Sequence, residues 1–295
     1  MRVFVTGATG FVGSAVVKEL LGAGHEVLGL SRSDEGAAAL KAAGASVHRG
    51  SLEDLDSLRS GVAGADGVIH LAFNHDFSKF AENGAEDCRA IAAMGAVLEG
   101  SERPMLVTSG VALLAPGRLA TEQNKAAPGF PRSSEQGADE LAARGVHAGS
   151  VRLPPSTHDA GDHGFVPILI NIAREKGYAA YISDGANRRP AAHRADAAKV
   201  YRLALERGAR GEAYHAVTEE GVAFKAIAET IGRNLDIPVK SIAREEAEAY
   251  FGWFQMFAGV DVPTSSTHTR EVLGWTPTGP TLIDDMNDAG YFTTA

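Results

Sequence analysis

Three glycines near the amino terminus have the spacing of a phosphate-binding turn. They are Gly7, Gly10 and Gly13, which follow a short apolar run and open an amphipathic segment. The first glycine permits a tight turn out of a strand, the second lets the backbone approach an anion, and the third lets a helix pack closely on a sheet. The exposed amides at the start of such a helix attract negative charge. This pattern predicts a cradle for the diphosphate of a dinucleotide.

The end of the next apolar run indicates which dinucleotide would bind. It reads Ser31, Arg32 and Ser33. An acid at this place binds the ribose 2′-hydroxyl of NAD, whereas a cation binds the 2′-phosphate of NADP. A guanidinium between two hydroxyls suits a phosphate dianion, so the sequence favours NADP(H) over NAD(H). The alternative is that Arg32 is solvated and that Asp34 or Glu35 binds the ribose.

The elements that must position these residues alternate between strand and helix. Strands are expected at 2–6, 26–30, 46–48, 67–71, 104–109 and 146–153, and helices at 11–21, 35–43, 54–60, 79–99 and 134–143. Alternation with nearly continuously apolar strands is typical of a parallel sheet covered on both faces. The expected fold class is therefore α/β, with a Rossmann-type doubly wound parallel sheet.

The alternation weakens after residue 153. Pro154 and Pro155 predict an irregular segment through His158, because proline cannot continue a central strand. Helices are expected at 165–175, 196–207, 224–234 and 244–251, with a candidate strand at 212–217. We predict a dinucleotide-binding domain at 1–157, to which 193–217 returns, and a smaller, mostly helical substrate-binding region at 158–192 and 218–295.

Composition excludes several classes of protein. The chain has 295 residues, with 28 Lys and Arg against 37 Asp and Glu, so its formal charge is −9. This acidic balance argues against nucleic-acid binding, and the single cysteine, Cys88, cannot form an internal disulfide. The start of the chain lacks the apolar segment of a signal peptide, and the longest apolar stretch, 165–173, is too short to span a bilayer. We therefore expect a cytoplasmic protein that does not bind membranes.

Several short motifs follow one another in a fixed order. They are Gly7-x-x-Gly10-x-x-Gly13, Gly50-Ser51-Leu52, the segment 66–72, Val107-Thr108-Ser109, the segment 151–155, the segment 193–198 and Leu273-Gly274-Trp275-x-Pro277. Together they resemble the extended short-chain dehydrogenases/reductases, specifically the NAD-dependent epimerase/dehydratase family, over nearly the whole chain. The resemblance implies a small-molecule substrate and a homodimer. The turn and the resemblance together predict these cofactor contacts: Gly7, Thr9, Gly10, Phe11, Val12, Gly13, Ser31, Arg32, Ser33, Ser51, Leu52, Leu71, Ala72, Phe73, Ser109, Pro154 and Ser156.

The resemblance also implies a catalytic tetrad, and here the sequence departs from the family. Family members use a Tyr-x-x-x-Lys pair, a Ser and an Asn, and the Tyr protonates the oxygen on which hydride transfer builds negative charge. With the helix aligned on Glu140, Arg132 takes the place of the Tyr and Gln136 that of the Lys. Ser109 lies one position before the usual Ser, and Asp87 is the counterpart of the Asn. Such losses resemble those of atypical members of the superfamily.

Other groups must then do the chemistry. Arg132 is a fixed cation that can stabilise an alkoxide but cannot act as an acid near neutral pH. His75 and His158 follow strands at the edge where ligands bind in this architecture, and histidine can move a proton near neutral pH; the alternative for each is a packed or solvated loop residue. The candidate catalytic residues are Ser109, Arg132, Asp87 and His75. The segment 158–163 contains two His and two Asp without ordered spacing, so no metal site is expected.

Three functions fit these observations. The leading prediction is an NADP(H)-dependent oxidoreductase that acts on a small carbonyl or alcohol compound without the usual Tyr and Lys. The missing pair favours a second function, a non-catalytic NAD(P)-binding sensor or scaffold. The family favours a third, an NAD-dependent sugar-nucleotide epimerase or dehydratase, although Arg32 and the missing basic residues count against it.

Overall fold

The computed structural model describes residues 1–112, 114–126 and 132–293. Seven strands form its main sheet: β1 (Arg2–Thr6), β2 (Glu26–Ser31), β3 (Ser46–Arg49), β4 (Gly67–His70), β5 (Met105–Gly110), β6 (Ala148–Leu153) and β10 (Ala213–His215). Their order is β10-β6-β5-β4-β1-β2-β3, and every neighbouring pair is parallel. The predicted doubly wound α/β fold is confirmed.

Helices cover both faces of this sheet because the inner strands are apolar on both sides. One face packs against α1 (Phe11–Gly22), α2 (Asp34–Ala42) and α7 (Arg194–Arg207), and the other against α3 (Leu55–Ala63), α4 (Phe80–Leu98) and α5 (Ser134–Ala143). The segment from α7 to β10 thus adds a helix and an edge strand to the amino-terminal sheet.

The rest of the chain forms a smaller region with its own core around Phe165, Leu169, Phe224 and Phe251. Its helices are α6 (Phe165–Lys176), α8 (Phe224–Leu235), α9 (Ala247–Phe251), α10 (Gln255–Ala258) and α12 (Leu282–Asp288), with short 3-10 helices at Arg244–Glu246 and Gly252–Phe254. The remaining helix, α11 (Thr267–Leu273), packs instead against α7 and β10 of the larger domain. Another 3-10 helix, Phe77–Lys79, precedes α4. It also holds two small sheets, built from β7 (Ser156–His158), β9 (Arg188–His193) and β11 (Glu219–Ala223), and from β8 (Ala179–Ile182) and β12 (Val239–Ile242).

The expectation of an irregular segment through His158 was wrong for its last three residues. Ser156–His158 pairs in parallel with Ala191–His193. The two prolines do end β6, but they do so by turning the chain into another sheet, where residue 156 begins an edge strand and needs no proline amide.

No helix in the described part of the chain has both the length and the apolar composition needed to cross a membrane.

Candidate active site

The glycine-rich turn lies between β1 and α1 and leaves no space for side chains. Gly7 has a φ of +65°, and a Cβ on it would lie 2.7 Å from the backbone nitrogen of Ala72. A Cβ on Gly13 would lie 2.0 Å from the carbonyl oxygen of Gly7. The N-cap of α1 is Gly10, and no side chain caps the helix. The first amides of α1 are therefore left for an anion, which fits the diphosphate of a dinucleotide.

The predicted ribose-binding serines are partly used by the fold itself. Ser31 Oγ donates to the carbonyl oxygen of Ser33, and Ser33 Oγ caps α2 by accepting from Gly36 N at 3.1 Å. Arg32 is exposed beside this turn. Arg49, which sequence reasoning missed, donates from Nη1 to the same carbonyl oxygen of Ser33. Arg49 Nη2 also donates to Asp34 Oδ1 at 2.8 Å, so this guanidinium is paired with a carboxylate. One guanidinium thus follows β2 and a second ends β3, and a cation directly after the third predicted strand was the signal that could have found Arg49.

The remaining residues predicted to contact the adenosine end lie nearby. Ser51 and Leu52 are half-buried in the segment after β3. Ser51 hydrogen-bonds to Glu53, and this bond, with a smaller effect from the charge of Arg32, lowers the pKa of Glu53. The carboxylate of Glu53 is thus a competing anion close to Arg32.

Arg132 lies directly before α5, near the carboxyl end of β5. Its Nη2 donates to the carbonyl oxygen of Thr108 at 3.0 Å, and its Nε donates to Ser134 Oγ at 3.2 Å. Its guanidinium carbon lies 4.2 Å from the centre of the Phe73 ring, an attractive cation–π geometry. Burial lowers the pKa of Arg132, but an arginine remains charged at neutral pH. A fixed positive charge thus lies at the carboxyl ends of β4 and β5.

Of the other candidate catalytic residues, Ser109 and His75 lie near Arg132, and Asp87 is buried beneath it. Ser109 is half-buried at the end of β5, next to Thr108. His75 is exposed and packs edge-on against Phe73, with 5.3 Å between ring centres. Desolvation by the surrounding loop, followed by the charge of Arg132, lowers the pKa of His75. Asp87 is 1% exposed, so it lies beneath the pocket surface rather than in it.

The structure does not bring the predicted Lys position to the site. Gln136 is exposed on α5 and donates to Glu140 at 3.2 Å. The half-buried Leu71, Ala72 and Phe73 pass beside the glycine-rich turn, and Thr9, Phe11 and Val12 belong to the turn itself. Pro154 and Ser156 are buried after β6, and Ser156 Oγ has no hydrogen-bond partner in the part of the chain that the structure describes.

The two histidines of the segment 158–163 are separated. His158 Nδ1 lies 2.7 Å from Asp285 Oδ2, whereas the ring of His163 packs against Phe11. Ligand atoms of Asp159, His193 and Asp285 do lie within 4.8 Å of one another. However, Arg194 Nε donates to Asp159 Oδ2 at 2.7 Å, so a cation already neutralises this group.

A buried arginine of the smaller region was also missed. Arg189, on β9, is 2% exposed, and in the described ranges neither its Nε nor its Nη2 has a hydrogen-bond partner. Arg189 lies opposite Val222 of β11. It comes two residues before Ala191, which pairs with Ser156 shortly after the carboxyl end of β6. Its sequence context, Arg188-Arg189-Pro190, reads as a polar loop, so only the strand pairing reveals its position.

The family model described as NAD dependent epimerase/dehydratase family matches residues 3–98. The uncharacterized protein C2A9.02 of Schizosaccharomyces pombe is 52% identical over 295 residues, which are 99% of this chain and 100% of that protein. The 4-hydroxy-2-methyl-3-oxo-4-farnesyl-3,4-dihydroquinoline-1-oxide ketoreductase of Stigmatella aurantiaca is 29% identical over 231 residues, which are 72% of this chain and 67% of that protein.

A solved structure supports the same relationship at the level of the fold. DesIV, a dTDP-glucose 4,6-dehydratase from Streptomyces venezuelae with NAD and TYD bound, superposes with a TM-score of 0.76 and 19% identity, covering 99% of this chain and 97% of that one. The chain belongs to the NAD-dependent epimerase/dehydratase family, whose members are extended short-chain dehydrogenases/reductases that bind NAD(P).

Proposed function

We propose that the protein is an NADP(H)-dependent oxidoreductase that reduces a small carbonyl compound or oxidises the corresponding alcohol. The observation that carries this proposal is the position of Arg132, whose charge is held over Phe73 between the ends of β4 and β5. When bound, the nicotinamide supplies or accepts the hydride. A fixed cation at this place would stabilise the alkoxide that forms, which is the largest single requirement of such a step.

The neighbouring residues have complementary roles in this proposal. Ser109 hydrogen-bonds to the substrate oxygen from the end of β5, and His75 gives or takes the proton that Arg132 cannot. Asp87 acts on Arg132 through Ser134. Residues 158–192 and 218–295 provide the walls of the substrate pocket. The ketoreductase from Stigmatella aurantiaca supports reduction as the reaction of this group of relatives.

Arg189 adds a substrate class, because two of its guanidinium nitrogens, Nε and Nη2, have no hydrogen-bond partner among the described residues. A buried cation without a partner is costly, and an anion that reaches it recovers this cost. We therefore propose that the substrate carries a carboxylate or phosphate as well as its carbonyl group. This assignment is compatible with the pairing of β9 with β7, which follows shortly after the end of β6.

The test of the reaction is NADPH consumption with a panel of aldehydes, ketones and sugar nucleotides, in which acidic compounds are paired with their neutral analogues. Acidic carbonyl compounds should be turned over, and Arg132→Met should lower kcat about 100-fold, the usual cost of removing one oxyanion donor. The matched control is Arg144→Met, because Arg144 is an exposed arginine at the opposite end of α5, where it pairs with Glu99. An equal loss in both variants would contradict the role of Arg132.

The preference for NADP(H) rests on Arg32, which follows β2, and on Arg49, which ends β3 and pairs with Asp34. Loss of both in an Arg32→Ser/Arg49→Ser variant should weaken NADPH binding about tenfold or more, as expected for charge-assisted hydrogen bonds, and leave NADH binding nearly unchanged. Arg59→Ser is the control, since Arg59 is another exposed arginine that is paired with an aspartate. Equal effects on the two nucleotides would favour the alternative in which Asp34 or Glu35 binds the ribose.

A second candidate function is a non-catalytic NAD(P) sensor or scaffold. The exposed Gln136, bonded to Glu140 rather than directed to the site, favours it. This function predicts tight NADPH binding with no turnover of any compound in the panel. The cytoplasmic location and the homodimer expected from the sequence stay predictions, to be tested by cell fractionation and light scattering.

A further inference from the structure

A buried polar chain joins the glycine-rich turn to the active-site arginine. Thr6 Oγ1 lies 2.7 Å from His70 Nδ1, and His70 Nε2 lies 2.9 Å from Asp87 Oδ1. The other carboxylate oxygen accepts a hydrogen bond of 2.5 Å from Ser134 Oγ, which itself accepts from Arg132 Nε. We propose that this chain, here called the Asp87 chain, holds Arg132 in place and couples its position to nucleotide binding at the turn.

Charge balance explains why a carboxylate lies at the centre of the chain. Asp87 and Ser134 are each 1% exposed. Burial alone would raise the pKa of Asp87, but hydrogen bonds from His70 and Ser134 and the charge of Arg132 outweigh burial, so the pKa lies below its ordinary value. The ionised carboxylate therefore balances the guanidinium across a single hydroxyl group. A neutral residue at this place would leave Arg132 without its buried countercharge.

The directions of the hydrogen bonds fix the orientation of Arg132. An ionised carboxylate only accepts, so Ser134 must donate to Asp87 and present its lone pairs to Arg132 Nε. Nη2 of the same guanidinium is held by the carbonyl oxygen of Thr108. With two of its nitrogens held, the guanidinium stays over the ring of Phe73. Asp87 is thus a positioning residue that acts through Ser134.

The other end of the chain reaches the turn that binds the nucleotide. Thr6 Oγ1 also accepts a hydrogen bond of 3.2 Å from the backbone nitrogen of Ala72. A Cβ on Gly7 would lie 2.7 Å from this same nitrogen, so the amide of Ala72 packs directly against Gly7. A nucleotide that settles on Gly7 and Ala72 therefore shifts the atoms that hold Thr6. Because coupling between two sites is reciprocal, a change at Arg132 must also alter nucleotide affinity.

The inference rests on the proposed function, but its test does not require turnover. In protein labelled with ¹⁵N-arginine, Arg132 should give a slowly exchanging Nε–H signal that is absent from Arg132→Met and that shifts on addition of NADPH. Ser134→Ala and Asp87→Asn should abolish its slow exchange. Thr6→Val should keep the signal and reduce its shift with NADPH, because it cuts the Asp87 chain only at the end next to the turn, at the hydrogen bond to His70.

The matched control is Asp196→Asn. Asp196 is also 1% exposed and accepts from the backbone nitrogens of Thr278 and Gly279, so this variant removes a buried carboxylate outside the chain. It should leave the Arg132 signal and its NADPH shift unchanged. A wild-type signal in Asp87→Asn and Ser134→Ala, or a wild-type NADPH shift in Thr6→Val, would overturn the inference.

Turnover provides a second measurement with a substrate found in the panel. Asp87→Asn should lower kcat about 100-fold, as a misplaced catalytic group does, with a much smaller change in KM. If Asp87→Asn lowers both kcat and the free energy of unfolding while the Arg132 signal stays as in the wild type, the role of Asp87 is merely structural. If no compound is turned over but the signals behave as described, the proposed function fails while the coupling stands.

Discussion

Arg152 and Arg189 are both buried, yet their surroundings are opposite. Arg152, on β6, is 0% exposed and donates to both carboxylate oxygens of Glu135, to two backbone carbonyl oxygens and to His215 Nε2. Arg189, on β9, stacks on the ring of Phe165 at 4.8 Å. Among the described residues, its Nε and Nη2 have no hydrogen-bond partner.

The two arginines differ in compensation: hydrogen-bond partners satisfy Arg152, whereas two buried nitrogens of Arg189 lack them among the described residues. A buried ion costs several kcal/mol unless nearby groups compensate it. Glu135 neutralises the charge of Arg152, and backbone carbonyl oxygens accept its other hydrogen bonds. These bonds join β6 to α5 and to the loop at 122–124. Burial lowers the pKa of Arg189 to about 10, with only a partial opposing effect from Asp261. In the proposed function, an anionic group of the substrate would accept from these buried donors.

The largest expected effect is loss of Arg152. Arg152→Met should lower the free energy of unfolding by about 3–5 kcal/mol, because it leaves the buried carboxylate of Glu135 without a partner. Urea denaturation followed by circular dichroism measures this loss. The double variant Arg152→Met/Glu135→Met should recover part of it, since both charges are then absent. A loss below 1 kcal/mol in the single variant would break the comparison.

The amino-terminal half of the fold could be predicted because its signals are local. The strands Arg2–Thr6 and Glu26–Ser31 are apolar runs next to glycine or helix-capping residues, and both lie within one residue of their predicted ends. The strand Arg188–His193 reads as polar and carries a proline. It forms because β7 and β11 supply partners on its two sides, which no local pattern shows.

The candidate site divides in the same way. The glycine-rich turn could be located because its spacing lies within eight residues, and Arg132 could be placed by counting along α5. The bond between His70 and Asp87 could not, because it depends on how α4 lies over the end of β4. Whether Arg189 Nε and Nη2 find hydrogen-bond partners depends on which residues pack around them. A sequence pattern cannot predict that.

Acid should destabilise the protein through His215, the histidine that accepts a hydrogen bond from Arg152. Burial, with a smaller contribution from the charge of Arg152, lowers the pKa of His215 from 6.5 to about 4. Between these values the unfolded chain binds a proton at His215 that the folded chain does not, so stability is present above pH 6.5 and is lost as the pH falls towards 4. The loss should reach about 3 kcal/mol. Urea midpoints from pH 4.5 to 7.5 measure it, and His215→Gln should flatten this slope. An unchanged slope would show that His215 does not titrate as its surroundings require.

The smallest effect is expected at Arg189, and it distinguishes the two arginines most directly. Without ligand, Arg189→Met should be within about 1 kcal/mol of the wild type or more stable, because an apolar side chain replaces a buried ion whose Nε and Nη2 have no hydrogen-bond partner among the described residues. Arg188→Met is the matched control, since its exposed pair with Asp261 is worth at most about 1 kcal/mol. Inorganic phosphate or citrate should raise the melting temperature of the wild type and of Arg188→Met by more than that of Arg189→Met, which keeps only the anion site at the start of α1. If Arg189→Met instead unfolds as easily as Arg152→Met, both arginines are structural and the anionic substrate class is wrong.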